Sequence, residues 1–428
     1  MFEPNINIVV NSNKEMFIFK LSNDDEIIYD IYDSSLRLLN SNNLSDKNIL
    51  RYSVAIDHED TLHLVVLMGT GELNYYKCID KEWSKRTIAK FDLKSNIYNQ
   101  IEILLIKNKL HIIYNYSHLI NSNIWTIQHV VYDKESNERH NAIRYISKRI
   151  PDPFAIDVDS QGTIHLIYRT YINNSSQIHH VFYSPYTKAW SSLSKQLSSE
   201  NMNNIFPFLF IDSQDNLHGL WIEEIKDNLD MKYLRMSSSG KEKYIWKEIS
   251  LPYIPISMYP PIIFEENNRL KLLYLSNNII QSLYSSNYGS TWIKGEINNL
   301  QSENISMVKI KSNISTLNNK INHGYCSISN GFKFYYLDLY PHEEPIEVHN
   351  EEPIEINAEN SFESYLESKL DILNYLYIKL EEILDNQISL DRTLSELLNN
   401  QIIIENKLDS VQKSINSNRK SFFERFFS

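Results

Sequence analysis

Over its first 340 residues the chain alternates short apolar runs with short polar turns, and the alternation repeats. Ile211-Asp212-Ser213-Gln214-Asp215-Asn216-Leu217-His218-Gly219-Leu220-Trp221 matches Val158-Asp159-Ser160-Gln161-Gly162-Thr163-Ile164-His165-Leu166-Ile167-Tyr168. The same frame runs from Ile56 to His63, from Phe264 to Lys271 and, more loosely, from Val10 to Phe17. A version one residue shorter occurs at Lys107-Asn108-Lys109-Leu110-His111, and a worn one at Asn319 to Asn322. Taking the residue after the last turn hydrophobe as a marker gives Phe17, His63, His111, His165, His218, Lys271 and Asn322, at intervals of 46, 48, 54, 53, 53 and 51.

Each copy reads as strand, tight turn, strand. A third run follows, ending in an aromatic at Tyr76, Tyr132, Tyr183, Tyr233 and Tyr284, and a fourth opens near Trp83, Trp190, Trp246 and Trp292. The third copy lacks a matching Trp and continues instead through Asn137 to Tyr145. Four strands per period of about 50 residues predict an all-β propeller of about seven four-stranded blades over residues 1–340. Such sheets bury their faces only against one another, a half-buried role that suits the 28 Tyr of the chain. The Trp residues are expected to cover the outer blade edges.

Within this frame Ser285-Ser286-Asn287-Tyr288-Gly289-Ser290-Thr291-Trp292 resembles the Asp-box of the sialidase-like, BNR-repeat propellers, with Asn287 where that pattern has Asp. Ser184 to Trp190 is a worn equivalent that keeps Ser and Trp without the Gly. The resemblance implies a structural hairpin between a blade's third and fourth strands, formed by Ser285, Asn287, Gly289, Thr291 and Trp292, on the face away from an active site. It also implies, for an enzyme of that kind, an Arg cluster, a Tyr nucleophile with its Glu, and an Asp acid/base. The Arg-Ile-Pro signature of that family occurs at Arg149-Ile150-Pro151, in the fourth repeat rather than the first.

From Pro341 the pattern changes. Glu343 to Val348 and Glu351 to Ile356 repeat an acidic, Pro-containing octad, read as an extended linker over 341–360. Then Phe362, Leu366, Lys369, Leu373, Leu376, Leu380, Ile383, Gln387, Leu390, Leu394, Leu397, Gln401, Ile404, Leu408, Val411 and Ile415 follow steps of four and three without a break, which predicts an α-helical coiled coil over 361–418. Leu at most a positions and apolar residues at e (Leu370, Tyr377, Leu384, Leu398) favour a homotrimer, with Gln387 and Gln401 setting register. The tail, 419–428, places Phe422, Phe423, Phe426 and Phe427 beside Arg419, Lys420 and Arg425, a pattern suited to docking on a partner or a membrane surface, or to capping the bundle.

Charge narrows the function classes. The formal net charge is -12, so no general attraction to nucleic acid or anionic lipid is expected. Cys78 and Cys326 have neither disulfide-framework nor metal-ligand spacing, and no cofactor motif occurs. The N-terminal residues lack the pattern of a secretory signal and no window has transmembrane length, which favours a cytoplasmic reading, with a surface- or spore-associated protein as a further option. His63, His111, His165 and His218 occupy one repeat position and so are spread around a ring rather than gathered on a metal; His179 and His180 read as surface residues.

Candidate clamps for an acidic ligand are Arg51, Arg149, Arg169 and Arg235, with Asp157, Glu223 and Glu224 as carboxylates; Arg149, Arg169, Trp221, Glu223 and Arg235 are the expected ligand-binding set. The best-supported expectation is a non-enzymatic, multivalent module or scaffold whose propeller recognises glycan or protein and whose coiled coil presents several copies. A divergent glycoside hydrolase and a structural coat protein are the alternatives.

Overall fold

The computed structural model describes residues 6–44, 46–133, 137–172, 175–226, 228–295, 305–314, 319–327 and 332–337, all within the compact unit Met1–His342. The acidic linker, the heptad residues from Leu366 to Ile415 and the four Phe of the tail lie outside the described residues.

The structure is all-β, one antiparallel meander per sequence repeat. The first strands of the repeats are Ile6–Val10, Ile49–Ile56, Asn96–Ile106, Ala155–Val158, Asn203–Ile211, Ile262–Glu266 and Ser306–Ser312. Repeats one to six add further strands in hairpin order, and the last shows His323–Ser327 and Lys333–Tyr335. Ser306–Ser312 pairs in parallel with Ile6–Val10, so the last repeat returns to the first. Among the described residues the only helical segment is one 3-10 turn, Leu119–Asn121, and no helix is long and apolar enough to cross a membrane.

The core is not one body but a series of layers between neighbouring repeats. One layer joins Phe19, Tyr29 and Ile31 of the first repeat to Val54, Leu64 and Tyr76 of the second. Others join the second repeat to the third, the third to the fourth and the fourth to the fifth. This is the expected result when each sheet can bury its faces only against its neighbours.

The turn residues explain the hairpins. Asp57, Asp159 and Asp212 each accept two backbone N–H groups from the turn that follows: Glu59 and Thr61 at 2.9 Å, Gln161 at 3.0 Å and Thr163 at 2.7 Å, Gln214 and Asn216 at 2.9 Å. The residue closing the turn has positive φ, at Asp60, Gly162 and Asp215. The turns are also stapled to one another. Ser12 N–H donates to Asp60 at 3.0 Å, Ser160 N–H to Asp215 at 2.8 Å, Ser213 N–H to Glu265 at 2.7 Å and Asn267 N–H to Asn319 at 2.8 Å.

The tryptophans do not cover outer edges as expected; each wedges against the preceding repeat. Trp83 meets Phe19 and Tyr29 edge-on and donates to the Tyr29 hydroxyl at 3.0 Å. Trp190 stands perpendicular to His129, Trp246 meets His180 at 5.3 Å, and Trp292 meets Tyr233 at 5.3 Å. The aromatic partner in the second repeat is Tyr75, not Tyr76: Tyr75 pairs with Val65 as Tyr233 pairs with Leu220, each two residues past the marker His. Adjacent strand residues face opposite ways, so that one-residue slip exchanges the two interfaces.

Trp292→Ala would remove a side chain only 6% exposed from between two repeats. It should cost about 3–5 kcal/mol, read as a lower urea midpoint at unchanged m-value; a loss within about 0.5 kcal/mol, the scale of a surface change, would contradict the wedge role.

The Ser285–Trp292 hairpin is held by its own side chains. Ser285 Oγ accepts the Gly289 N–H at 2.8 Å and donates to Asn287 Oδ1 at 3.0 Å, while Asn287 Oδ1 accepts the Thr291 N–H at 2.9 Å. Gly289 is required: its φ is +80 and an added Cβ would lie 2.0 Å from the Tyr233 hydroxyl. Asn287 Nδ2 also donates to Thr291 Oγ1 at 2.8 Å, a bond that a carboxylate at this position could not donate.

Candidate functional site

Among the interfaces from the first repeat to the sixth, one lacks both a wedging Trp and a staple between turns. In the fourth strand Trp83 is the cross-strand partner of Cys78, Trp190 of Tyr183 and Trp246 of Met236; in the third repeat the same register pairs Tyr132 with Asn137. Asn137 therefore stands where the other repeats have Trp. The turn of the third repeat is a two-residue turn with positive φ at both Lys107 and Asn108, as is Asn267–Asn268 of the sixth. Among the described residues no staple joins it to the turn before it. The third-to-fourth junction also lacks a staple but keeps Trp190. Of the five interfaces from the first repeat to the sixth, only that between the second and third lacks both among the described residues, and there an open cleft of about 810 Å³ appears, within the range of ligand pockets; a smaller open cleft of about 530 Å³ lies between the first and second repeats.

The cleft is built on Asp57, His63 and Tyr75. His63 Nδ1 lies 2.7 Å from the Tyr75 hydroxyl and its Nε2 3.0 Å from Asp57 Oδ2. Burial opposes ionisation of Asp57, yet the bonds from His63 and the turn amides outweigh it and hold its pKa low. For His63 the balance reverses: burial pushes its pKa down despite Asp57. Burial likewise pushes the Tyr75 hydroxyl up.

Asp212, His218 and Tyr233 of the fifth repeat repeat this chain at the same 3.0 and 2.7 Å. There Trp292 seals the interface and His218 is fully buried. The Asp-His-Tyr chain is thus a packing motif of the repeat, and what distinguishes the second copy is that nothing wedges over it.

Arg86 occupies the vacated space. Its guanidinium lies 5.1 Å from the Tyr75 ring centroid and 5.0 Å from that of Tyr132, so two rings orient it. Arg86 is exposed and has no carboxylate or hydrogen-bond acceptor among the described residues. Lys77, half-buried beside it, also lacks an ion-pair partner there. Lys107 stands over the Tyr186 ring at 5.6 Å. Lys85 is already paired with Asp46 at 2.6 Å, and Asp133 lies 3.1 Å from Lys109. Ser84, Asn108 and Glu59 complete a mixed polar lining.

A second, much smaller cavity of about 70 Å³ lies among the first strands of several repeats. Glu102 is ion-paired with Lys309 and accepts from Gln100 at 2.8 Å. Asp157 lies 3.5 Å from Lys320. Burial lowers the pKa of Lys311 and takes that of His323 well below the ordinary value. Glu102 and Asp157 are thus each paired with a lysine, whereas His323 Nδ1 is buried without a hydrogen-bond partner among the described residues.

The residues expected from sequence do not form one cluster. Arg169 is buried and ion-paired with Asp152, donates to Asn203 Oδ1 at 2.8 Å, and stacks on Tyr171. Glu223, buried, sits 3.5 Å from Lys232, and burial raises its pKa. Asn203 bridges from Arg169 to Glu224, so Arg169 and the Glu223–Glu224 pair share one end of the fourth and fifth sheets. Arg235 is at the turn end instead, donating to the Tyr288 carbonyl at 2.6 Å and Asn216 Oδ1 at 2.8 Å. Arg149 is exposed on the loop before the fourth repeat, and Trp221 is buried in the layer between the fourth and fifth. The marker histidines stay within their own sheets, bonded to Tyr75, His129, His180 and Tyr233. His180 is not a surface residue but 5% exposed, and His179 is half-buried.

No family model and no curated protein matches the chain. Solved structures do. A polysaccharide lyase of family PL25, an ulvan lyase bound to a glucuronate-(1-4)-rhamnose-3-sulfate saccharide, superposes with a TM-score of 0.54 at 11% identity, over 78% of this chain and 91% of that one. The BP39L lectin of Burkholderia pseudomallei gives 0.46 at 10% identity over 72% and 90%. The six-bladed β-propeller lectin of Aleuria aurantia gives 0.41 at 10% over 71% and 98%. One antiparallel meander per repeat, layered in series and joined in parallel from last to first, is the arrangement of a β-propeller, and the fold likeness at a TM-score of 0.54 agrees with it. The fold is a β-propeller. At such identities the likeness speaks for the fold alone, and the propeller's function has to be argued from its cleft.

Proposed function

We propose that this propeller is a carbohydrate-recognition module and that its saccharide site is the cleft between the second and third repeats. The observation that carries the reading is Asn137 in the place of Trp, which leaves a cleft open over a pair of tyrosines and an unpaired, ring-oriented Arg86. Saccharides are held by planar polar groups, aromatic surface and mixed donors and acceptors in a concave site, and the lining supplies all of these. The repeated Asp-His-Tyr chain supports binding over hydrolysis, since its second copy lies sealed in the fifth repeat. We further read the seven repeats as seven blades of an Asp-box-type propeller, carried by the linker on a trimeric coiled coil. Three clefts on one particle then raise avidity without a tight single site.

The test is a glycan array probed with the full chain, alongside light scattering on the full chain and on a chain ending at Pro341. Glycan capture by a trimer, with weaker capture by a folded monomeric truncation, is the expected result. A folded full chain that retains no glycan overturns the reading of the cleft, and a monomeric full chain overturns the presentation model.

A further inference from the structure

Resting on that reading of the cleft, we infer that its ligand is an acidic saccharide, one whose sugar ring carries a carboxylate that docks on Arg86. The chain as a whole carries a formal charge of -12, so surplus cations at one place need a local reason. Arg86 and Lys77 lack anionic partners among the described residues, and Lys107 spends its charge on a ring face. Neighbouring cations are not left this way: Lys85 has Asp46 and Lys109 has Asp133.

The geometry selects a carboxylate in particular. Tyr75 and Tyr132, their ring centroids 6.5 Å apart, both stand on one side of the guanidinium and leave its other side open, where its fork of N–H donors matches a planar carboxylate through two parallel hydrogen bonds. Lys77 and Lys107 add charge without demanding a plane. Glu59 and Asp133 share the same cleft, which disfavours an unbroken run of carboxylates such as an acidic peptide. A uronate polymer suits it better, because each ring brings one carboxylate and several hydroxyls that can donate to those acids.

Isothermal titration of the full chain with polygalacturonate, alginate and hyaluronan oligosaccharides, each against its carboxyl-reduced counterpart, tests the inference. At least one acidic saccharide should bind ten-fold or more tightly than its reduced form, and weaken between 50 and 300 mM salt. Arg86→Gln should reduce that preference by about 10- to 100-fold, the scale of a charge-assisted bond; Arg86→Lys should restore part of it. The Arg86 side chain makes no hydrogen bond to the described residues, only exposed contacts with two rings, so both variants should unfold within a few degrees of the wild-type temperature. Equal binding of acidic and reduced forms overturns the acidic inference and leaves the cleft a neutral-sugar site. Binding of array glycans but of none of the acidic probes does the same, whereas silence on both array and probes overturns the saccharide reading itself.

Discussion

Asn137→Trp should abolish saccharide capture while leaving the propeller as stable as before or more so. The introduced indole would sit at the register position of Trp83, Trp190 and Trp246, against a Tyr75 and His63 arranged as Tyr233 and His218 are under Trp292. It would displace only the exposed guanidinium of Arg86, which can swing into water. An indole reaching over Tyr75 as Trp292 does over Tyr233 would exclude the ligand sterically, so affinity should fall by at least about 100-fold, or about 2.7 kcal/mol. Burying the indole should contribute about 1–2 kcal/mol of stability. Titration and thermal unfolding of the two proteins measure both. Unchanged affinity in a folded Asn137→Trp protein would place the saccharide elsewhere.

Mild acid should destabilise the fold strongly, well above the pH at which its carboxylates titrate. His129 is fully buried, and burial, with His111 and His140 nearby, lowers its pKa to about 3. Burial also lowers His180 to about 3 and His111 to about 4. Each belongs to a neutral imidazole pair, His111 with His129 at 2.9 Å and His165 with His180 at 3.1 Å. The unfolded chain holds these rings near the ordinary value of about 6.5, so below it the unfolded state binds more protons than the folded one. Stability is then complete above about pH 6.5 and falls as pH drops toward the folded values. At pH 5 each such ring costs about 2 kcal/mol; counting one ring per pair gives about 4 kcal/mol. Asp57, Asp159 and Asp212, all held low, remain ionised at pH 5 in either state and contribute only below about pH 4. Urea midpoints at pH 7, 6 and 5 should therefore drop progressively; a flat profile would mean that these pairs are hydrated in the folded protein.

Much of the fold was legible because it rests on local chemistry. The Asp that opens the turns at Asp57, Asp159 and Asp212, the residue of positive φ that closes them and the two-residue period of the flanking strands all act within a dozen residues, and the structure keeps each of them. The slips occurred where a residue's role depends on the face it presents. His180, expected at the surface, is buried, and the tryptophans, expected over blade edges, pack between repeats. Adjacent strand positions differ only in which neighbouring sheet they meet, and that is invisible until the sheets are stacked. The arginines chosen as clamps illustrate the same gap. Arg169 is as basic in sequence as Arg86, but Asp152 and Asn203 consume it.

One signal for the cleft lies along the chain, the absence of Trp from the third repeat; the shortened turn is shared with the sixth. By itself the sequence determined the repeat, the hairpins and the all-β class, because turn hydrogen bonds and side-chain alternation are short-range. The tertiary structure decided which two repeats stand apart and which cation is left without a partner. Those depend on Tyr132 of one sheet meeting Tyr75 and Arg86 of another, residues that meet only once the sheets are packed side by side.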